Sequence, residues 1–410
     1  MISVRQALDT VLSDTPRVGT EQVALTAAHR RVLADFVRAA RDVPPFRNSA
    51  MDGYALRAAD VQSASPAAPI ALRILEVIGA GSVPTHNVAA GTATKIMTGS
   101  PLPAGADAVV RVEDTEERDG RVQVRTGVAV GANVREAGED IRAGETVLTA
   151  GRTLRPADIG LLASLSVAVV RVARRPRVAI LATGDELVDL GEPLRAGHIV
   201  NSNAYTLAAA VEEAGGVPVM LGIARDQPAY IRAALADAFA ADVVLSTGGV
   251  SVGSFDFVRR TLADLGYEER FWKVAQRPGK PLTFGVRAGT PAFGLPGNPV
   301  SSLVCFYLYV RPALQRMMGM ERVHLPTVTA TVDSGINTAS GMTEFVRCVV
   351  ERHEAAYHVR PTASQSSAVL RSLSAGEGLL ISPPEQTTIA PGDTARVILL
   401  AAEGSVEPPF

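Results

Sequence analysis

STGGVSVG at positions 246–253 and GLPGNP at positions 294–299 are the stretches that decide the fold of this chain. Each one follows an apolar run with strand character and leads into the start of a helix. A turn of this kind presents backbone N–H groups that bind anions. The alternative is that the glycines only make tight turns. Because both turns occur in one α/β unit beside Gly279-Lys280, we favour a site for a phosphorylated ligand.

The region around these turns alternates between predicted strands and amphipathic helices. Strands are predicted at 177–182, 217–223 and 242–246, and helices at 203–214, 229–240 and 255–265. This order predicts a parallel sheet with helices on both faces, in which ligands bind beyond the carboxyl ends of the strands. A third candidate turn, Thr183-Gly184-Asp185-Glu186, follows the first strand. Asn298 is predicted to cap the helix that starts at Pro299.

The whole chain is predicted to be a multidomain α/β protein whose central α/β domain spans 175–322. Short strands separated by Gly, Pro and Asp predict a β-rich insertion domain at 47–142. The segments 1–46 and 143–174 look too small for separate cores, and we expect them to form one mixed N-terminal linking domain, with a helix near 28–38. Strands that alternate with turns predict a small C-terminal β-barrel or sandwich at 323–410, of which we expect the barrel.

The composition excludes several classes of protein. The chain has 410 residues, 47% of them hydrophobic and 20% charged, which is typical of a globular protein. A formal net charge of -2 gives no broad field for nucleic acid or a membrane surface. No run of about 18 apolar residues and no signal peptide is seen, so we expect a cytoplasmic protein. Cys305 and Cys348 lie in apolar runs and are predicted to be buried and reduced.

Three acids punctuate the α/β region near the predicted anion-binding turns: Glu186, Asp226 and Asp256. Asp256 taken alone is explained as a partner of the helix dipole. Next to phosphate, however, a carboxylate is unfavourable unless a cation lies between the two groups. Phosphate oxygens together with one or two carboxylates are typical ligands of Mg²⁺. The sequence therefore predicts a Mg²⁺ site formed by some of these acids, although neither a Walker A loop nor a GxGxxG fingerprint occurs.

Seven motifs in a fixed order resemble one known family. They are PPFRNSAMDGYA at 44–55, MTG at 97–99, GEDI at 138–141, TGDEL at 183–187, STGGVSVG at 246–253, PGKP at 278–281 and GLPGNPVS at 294–301. In this order, and over essentially the whole length, the chain resembles the MoeA-type molybdopterin molybdenumtransferases and also the C-terminal domain of gephyrin. The resemblance implies that the central domain binds molybdopterin and is similar to MogA.

The resemblance also implies a reaction and an assembly. Molybdate is inserted into adenylylated molybdopterin, the adenylyl bond is hydrolysed with Mg²⁺, and molybdenum cofactor and AMP are released. Members of the family are elongated homodimers whose active site lies between the α/β domain of one subunit and the β-rich domain of the other. Contacts with the adenylyltransferase and with acceptor molybdoenzymes are implied as well.

The candidate site residues combine the two lines of argument. The catalytic candidates are Asp52, Asp140, Glu186, Asp226 and Asp256, of which the last three are also the metal candidates. The substrate-binding candidates are Thr98, Thr183, Gly184, Gly248, Gly249, Ser251, Gly253, Lys280, Pro296, Gly297, Asn298, Pro299, Arg347 and Ser367. The roles of Asp52, Thr98, Asp140, Arg347 and Ser367 rest on the resemblance alone. The family usually has Lys at the position of Arg277, which keeps the charge but changes the geometry.

Three alternatives remain open from the sequence. One is an adenylyltransferase that makes the adenylylated pterin, against which the β-rich domain and the SAMDGY motif at 49–54 argue. Another is a non-catalytic scaffold like gephyrin, which would need a long linker or a further binding domain. Without the resemblance, a generic nucleotide-binding or sugar-phosphate enzyme fits the turns equally well.

Overall fold

The structure, a computed structural model, describes residues 1–79, 81–225, 227–248, 255–338, 341–353 and 356–400. Within 255–259 the description covers the backbone only. The predicted site residues Asp226, Gly249, Ser251 and Gly253 lie outside the described residues, as does the side chain of Asp256.

The first part of the chain contains two units, one inserted into the other. Its elements are α1 (Val4–Ser13), β1 (Thr20–Ala24), β2 (Val37–Arg38), β3 (Asn48–Ser49), β4 (Gly53–Leu56), α2 (Ala58–Val61), β5 (Ile70–Ile78), β6 (Thr92–Ile96), β7 (Ala108–Arg111), β8 (Thr115–Arg118), β9 (Arg121–Val124), β10 (Val134–Arg135), β11 (Thr146–Leu148), α3 (Pro156–Ser164) and β12 (Val169–Ala173). A six-stranded sheet in the order β7-β4-β6-β5-β9-β8 forms the β-rich unit. The pairs β1–β12 and β2–β11 join the chain before that unit to the chain after it.

The helix predicted near 28–38 is wrong. The structure has a 3-10 turn at Leu25–Ala27, after which Arg30 takes a left-handed backbone conformation with φ of 63°. Val32 and Leu33 form bridges to Thr153 and Val172, which lie more than a hundred residues further along the chain. Pairing with these distant segments replaces the helix that the local pattern favours.

Helix α1 packs on the α/β domain, although the sequence groups it with the linking domain. It begins with a capping box in which the Ser3 hydroxyl accepts from the Gln6 backbone N–H at 3.2 Å. Its buried Ala7 and Val11 belong to the same apolar cluster as Tyr309 and Leu314. The linking unit builds its own core from residues that follow α1 and precede residue 177. Among them are Leu33, Leu154, Leu162 and Val172. The domain boundaries themselves stay predictions.

The α/β domain is a mixed six-stranded sheet with apolar clusters on both faces. Its elements are β13 (Arg177–Thr183), β14 (Leu187–Val188), β15 (Ile199–Val200), α4 (Ser202–Glu213), β16 (Val217–Ala224), α5 (Pro228–Ala238), β17 (Val243–Thr247), α6 (Phe255–Asp264), β18 (Glu268–Trp272), β19 (Gln276–Arg277), β20 (Thr283–Arg287), β21 (Thr290–Leu295), α7 (Pro299–Cys305), a π-helical segment (Phe306–Val310) and α8 (Arg311–Met317). In the order β16-β13-β17-β21-β20-β18, the first four strands are parallel, and β20 pairs antiparallel with both β21 and β18. The predicted strands and helices of this domain are confirmed.

The C-terminal domain is a closed five-stranded barrel, as predicted. Its elements are β22 (Thr327–Val332), β23 (Ile336–Asn337), β24 (Thr343–His353), β25 (Ala356–Pro361), α9 (Arg371–Ser374), β26 (Gly378–Ser382), β27 (Thr388–Ile389) and β28 (Thr394–Leu399). The ring β24-β25-β22-β28-β26 closes through the pairing of β24 with β26. Strand β19 of the α/β domain pairs in parallel with β24, which ties the barrel to the α/β domain.

Both cysteines are free and buried, as the sequence predicts. Cys305 lies in the α/β core and Cys348 in the barrel core. In the described ranges, none of the helices is both long and apolar enough to cross a membrane.

Candidate active site

The turns after three parallel strands meet at one edge of the α/β sheet. Gly248 follows β17 with φ of +84°, and a Cβ atom there would lie 2.1 Å from the carbonyl oxygen of Thr183 at the end of β13. A Cβ atom on Gly297, after β21, would lie 3.7 Å from the Cα atom of Gly248. Glycine is therefore needed for the close approach of the backbones at Gly248, whereas at Gly297 an added Cβ atom would make only an ordinary van der Waals contact. The predicted convergence of the three turns is confirmed for Thr183, Gly248 and Gly297, while 249–253 of the first turn lie outside the described residues.

These turns surround an open cavity of about 610 Å³. Its lining consists of Thr183, Glu186, Leu187, Ile199, Val200, Asn201, Ser202, Asn203, Thr247, Gly248, Pro281, Pro296, Gly297, Asn298, Pro299 and Ala368. The structure thus brings together seven residues that the sequence singles out: Thr183, Glu186, Gly248, Pro296, Gly297, Asn298 and Pro299. Their roles in binding or catalysis stay predictions.

Glu186 is the sole charged side chain among the described residues that line the cavity. Its carboxylate lies against the backbone of Gly184, where φ is +146° and a Cβ atom would lie 2.5 Å from Glu186 Oε2. A side chain at position 184 would therefore displace the carboxylate. The absence of a side chain at Gly184 leaves the space that the Glu186 carboxylate occupies.

The donors at this edge are suited to a hard cation such as Mg²⁺. Beside Glu186, the described lining includes three residues with hydroxyl groups, Thr183, Ser202 and Thr247, and magnesium prefers oxygen ligands. In the described ranges no three His, Cys, Asp or Glu side chains come together in a metal-binding group. Among the described residues, a magnesium ion at this edge would bind a single carboxylate, that of Glu186. Oxygen atoms of the bound ligand would have to supply further coordination.

The start of α4 is a further candidate anion-binding element, which the sequence reasoning missed. Asn201 caps this 12-residue helix, and its Oδ1 accepts from the Ala204 N–H at 3.3 Å. Asn203 Nδ2 donates to the carbonyl oxygen of Gly297 at 2.8 Å and so fixes the second glycine turn. The positive end of the helix dipole faces the cavity through Asn201, Ser202 and Asn203. Asn201, directly before an amphipathic helix, is the sequence signal that could have located it.

The second glycine turn is also tied to the C-terminal domain. Asn298 occupies the N-cap position of α7, but its side chain makes no capping hydrogen bond, which corrects the prediction. Instead, Asn298 Nδ2 donates to Ser367 Oγ at 3.0 Å, and the Val300 N–H donates to the Ser367 carbonyl oxygen at 3.2 Å. The next residue, Ala368, lines the cavity. The structure therefore places Ser367 beside the second turn.

Arg347 lies behind the loop that carries Ser367 and does not line the cavity. It is 2% exposed and donates to the carbonyl oxygens of Ser364 at 3.3 Å and Ser366 at 3.2 Å. Burial, with a smaller effect of Arg277, lowers the pKa of Arg347 to about 10. Arg277 and Arg347 both line a separate small cavity of about 250 Å³. The contacts of Arg347 fix the 364–367 loop, and its role toward a substrate stays a prediction.

Lys280 is exposed on the turn between β19 and β20. Its neighbour Pro281 is among the residues that line the cavity, whereas Lys280 itself is not. Arg277, at the start of the same turn, forms an ion pair with Glu344 of β24 at 3.4 Å.

The predicted residues of the β-rich domain lie apart from this cavity. Asp52 Oδ1 accepts from the backbone N–H and from the hydroxyl of Thr98, each at 2.7 Å, and these hydrogen bonds lower the pKa of Asp52. Asp140 is exposed, and its N–H donates to the Val43 carbonyl oxygen at 3.0 Å. Among the described residues that line the strand-end cavity, none comes from 47–142. Within one chain, Asp52 and Asp140 are not part of that cavity.

Three family models match consecutive parts of the chain. They are the MoeA N-terminal region (domain I and II) over residues 2–166, the probable molybdopterin binding domain over 179–316 and the MoeA C-terminal region (domain IV) over 329–400.

Individual proteins are similar over nearly the full length. A molybdopterin molybdenumtransferase of Nostoc is 37% identical, with 98% of this chain and 94% of the relative covered. Molybdopterin molybdenumtransferase 2 of Mycobacterium tuberculosis is 39% identical, with 92% and 94% covered. A crystal structure of the molybdopterin biosynthesis MoeA protein from Pyrococcus horikosii superposes with a TM-score of 0.85 at 31% identity and covers 98% of this chain and all of its own. Together with the fold described above, these matches show that the chain belongs to the MoeA family of molybdopterin molybdenumtransferases.

Proposed function

We propose that this protein is a molybdopterin molybdenumtransferase. It takes adenylylated molybdopterin and molybdate as substrates, inserts the metal at the dithiolene and hydrolyses the adenylyl bond, which gives molybdenum cofactor and AMP. The observation that supports this function best is the meeting of Gly248 and Gly297 at one cavity, in a chain similar to such enzymes over nearly its full length. The alternative of a generic nucleotide-binding enzyme does not explain why the chain also carries a β-rich insertion and a C-terminal barrel.

The strand-end cavity binds the phosphate end of the substrate. Backbone N–H groups of the two glycine turns and the dipole of α4 supply positive potential without a cationic side chain in the described lining. Lys280, next to the lining residue Pro281, adds a positive charge. These groups stabilise the negative charge that develops on the phosphate oxygens as the anhydride bond breaks. An oxygen of water or of molybdate attacks the phosphorus on the pterin side, the bond from that phosphorus to the bridging oxygen breaks, and AMP leaves with the bridging oxygen. A proton of attacking water is released to solvent, and after attack by molybdate a water molecule hydrolyses the phosphate–molybdate bond.

Glu186 would hold Mg²⁺ at the same edge, with Asp226 and Asp256 as further candidate ligands. When bound, Mg²⁺ neutralises phosphate charge and polarises phosphorus for attack. The chain's own contribution is to place Glu186, which Gly184 allows to lie flat against the backbone.

The pterin and molybdate end is bordered by Asp52, Thr98 and Asp140 of a second subunit. This proposal is supported by the lining of the cavity, to which the described part of the β-rich domain contributes no residue within one chain. A homodimer brings the two groups together. Because Thr98 lowers the pKa of Asp52, this carboxylate is ionised and acts on an oxyanion through a cation, a bound water or a proton.

We further propose a cytoplasmic location, since two buried free thiols suit a reducing compartment. The adenylyltransferase that supplies the substrate and the molybdoenzymes that accept the product are the expected protein partners.

The function is tested by incubating the protein with adenylylated molybdopterin, Mg²⁺ and molybdate, and by measuring AMP and active cofactor. We expect both products from the wild type. Glu186→Gln should abolish AMP release, whereas Glu192→Gln, an exposed acid of the same region outside the cavity, should not. Incubation of the protein with molybdopterin and ATP should give no adenylylated product. Wild-type turnover by Glu186→Gln would contradict the assignment of Glu186, and adenylylation from ATP would favour the adenylyltransferase.

A further inference from the structure

A buried side-chain network lies directly beneath the turn that carries Lys280. Gln276, the first residue of β19, is 0% exposed, and its Nε2 donates to the carbonyl oxygen of Pro278 at 3.0 Å. The hydroxyl of Tyr309, also 0% exposed, donates to Gln276 Oε1 in a short hydrogen bond. The Gln276 amide is therefore bonded at both ends, to the turn above it and to the helical segment below it.

The turn is in direct contact with this network. Gly279 has φ of +96°, and a Cβ atom there would lie 2.5 Å from Cys305 Sγ and 2.6 Å from Gln276 Nε2. No space separates the backbone of the turn from the buried side chains. A shift of the Gln276 amide must therefore shift the turn, and Lys280 with it.

Tyr309 reaches Gln276 from the π-helical segment Phe306–Val310, which interrupts the helix between α7 and α8. A π-helical segment widens the backbone turn and is often found at functional sites. Burial raises the pKa of Tyr309, so its hydroxyl keeps its proton and remains a donor.

An apolar core would stabilise this region without any polar group. A buried amide group costs free energy unless it is hydrogen-bonded. When it is hydrogen-bonded, the bonds fix the orientation of the amide and of its partners. The bond from Gln276 to Pro278 fixes the orientation of one carbonyl group in the turn, which an apolar side chain of the same volume does not do. Gln276 and Tyr309 are absent from the described cavity lining, so any effect on a ligand passes through the turn.

We propose that Gln276 and Tyr309 are positioning residues for Lys280. They hold the 277–281 turn where the Lys280 ammonium meets an anionic oxygen group of the ligand, a phosphate or an oxyanion. This inference rests on the proposed function. The Lys280 side chain is exposed and flexible, so the position of its backbone decides where the charge acts.

The test is a double-mutant cycle between Tyr309→Phe and Lys280→Ala, scored as kcat/KM for AMP release. We expect each single change to lower kcat/KM by about tenfold, since a small misplacement of a binding group is costly. The double variant should resemble Lys280→Ala alone, because Tyr309 acts through Lys280. Tyr307→Phe, which removes a hydroxyl from the same π-helical segment, should leave kcat/KM unchanged. Gln276→Met, which keeps the volume and loses the amide, takes the place of Tyr309→Phe should that variant not fold.

The outcomes separate the inference from the function on which it rests. If the wild type releases no AMP, the proposed function fails and the inference with it. If the wild type is active but Tyr309→Phe behaves like Tyr307→Phe, the inference alone is wrong. It is also wrong if the losses from Tyr309→Phe and Lys280→Ala multiply, because independent losses indicate a general effect on the structure.

Discussion

Gly184 controls the position of Glu186 and gives a prediction at the residue scale. Gly184→Ala inserts a methyl group 2.5 Å from the Glu186 carboxylate, so that carboxylate must move. We expect kcat/KM for AMP release to fall on the order of a hundredfold, as misplaced catalytic groups do. Gly191→Ala is the matched control, because Gly191 has φ of +88° with nothing within 4 Å of the added atom. Equal activities of the two variants would show that AMP release does not depend on the observed position of the Glu186 carboxylate.

Asp52 gives a second residue-scale prediction, on pH. Hydrogen bonds from the Thr98 N–H and hydroxyl lower the pKa of Asp52 below its ordinary value of about 3.9. The contribution of this charge to the stability of the folded protein is therefore fully present above the ordinary pKa. It is lost as the pH falls through the lowered pKa of the folded state. Thr98→Val removes the hydroxyl and should raise the pKa of Asp52, as measured by NMR titration of its carboxyl carbon. An unchanged pKa would mean that the hydroxyl bond does not form in solution.

At the scale of elements, the contact between the 364–367 loop of the C-terminal domain and the start of α7 gives a prediction. Asn298→Ala removes its side-chain bond to Ser367, and we expect a loss of about 1 kcal/mol in the free energy of unfolding. Binding of AMP should weaken as well, since the loop and the second glycine turn share this contact. Ser374→Ala, an exposed serine of the same domain, is the control. Chemical denaturation and calorimetry measure the two effects, and equal values for both variants would rule out the tie.

At this scale the sequence predicts the elements whose signals are local. The strands and helices from 177 to 265 are predicted because apolar periodicity and turn residues agree there. The false helix near 28–38 arises because Arg30 is left-handed and Leu33 pairs with Val172. No local pattern reveals either fact.

The candidate site follows the same rule. The strand-end turns are predicted, because parallel strands place their carboxyl ends at one edge. The partner of Asn298 is not, because Ser367 comes from a different domain 69 residues away. The role of Arg347 as a substrate-binding residue is implied by the resemblance alone, and its burial behind the 364–367 loop becomes visible only when the barrel closes.

For the whole molecule, the proposed site is shared between two subunits. Asp52→Ala and Glu186→Ala chains should each be inactive alone. When the two are unfolded together and refolded, mixed dimers should recover about a quarter of wild-type activity, since half of the dimers then carry one intact site. Measurement of AMP release in the mixture tests this. A mixture without activity, despite a dimer in solution, would place all site residues in one chain.

The most direct test of the account is a crystal structure of the Glu186→Gln variant with adenylylated molybdopterin bound. The account predicts that the phosphates lie against the backbone of Gly248 and Gly297, with the pterin directed toward Asp52 of a second subunit. Phosphates bound away from both glycine turns would contradict it.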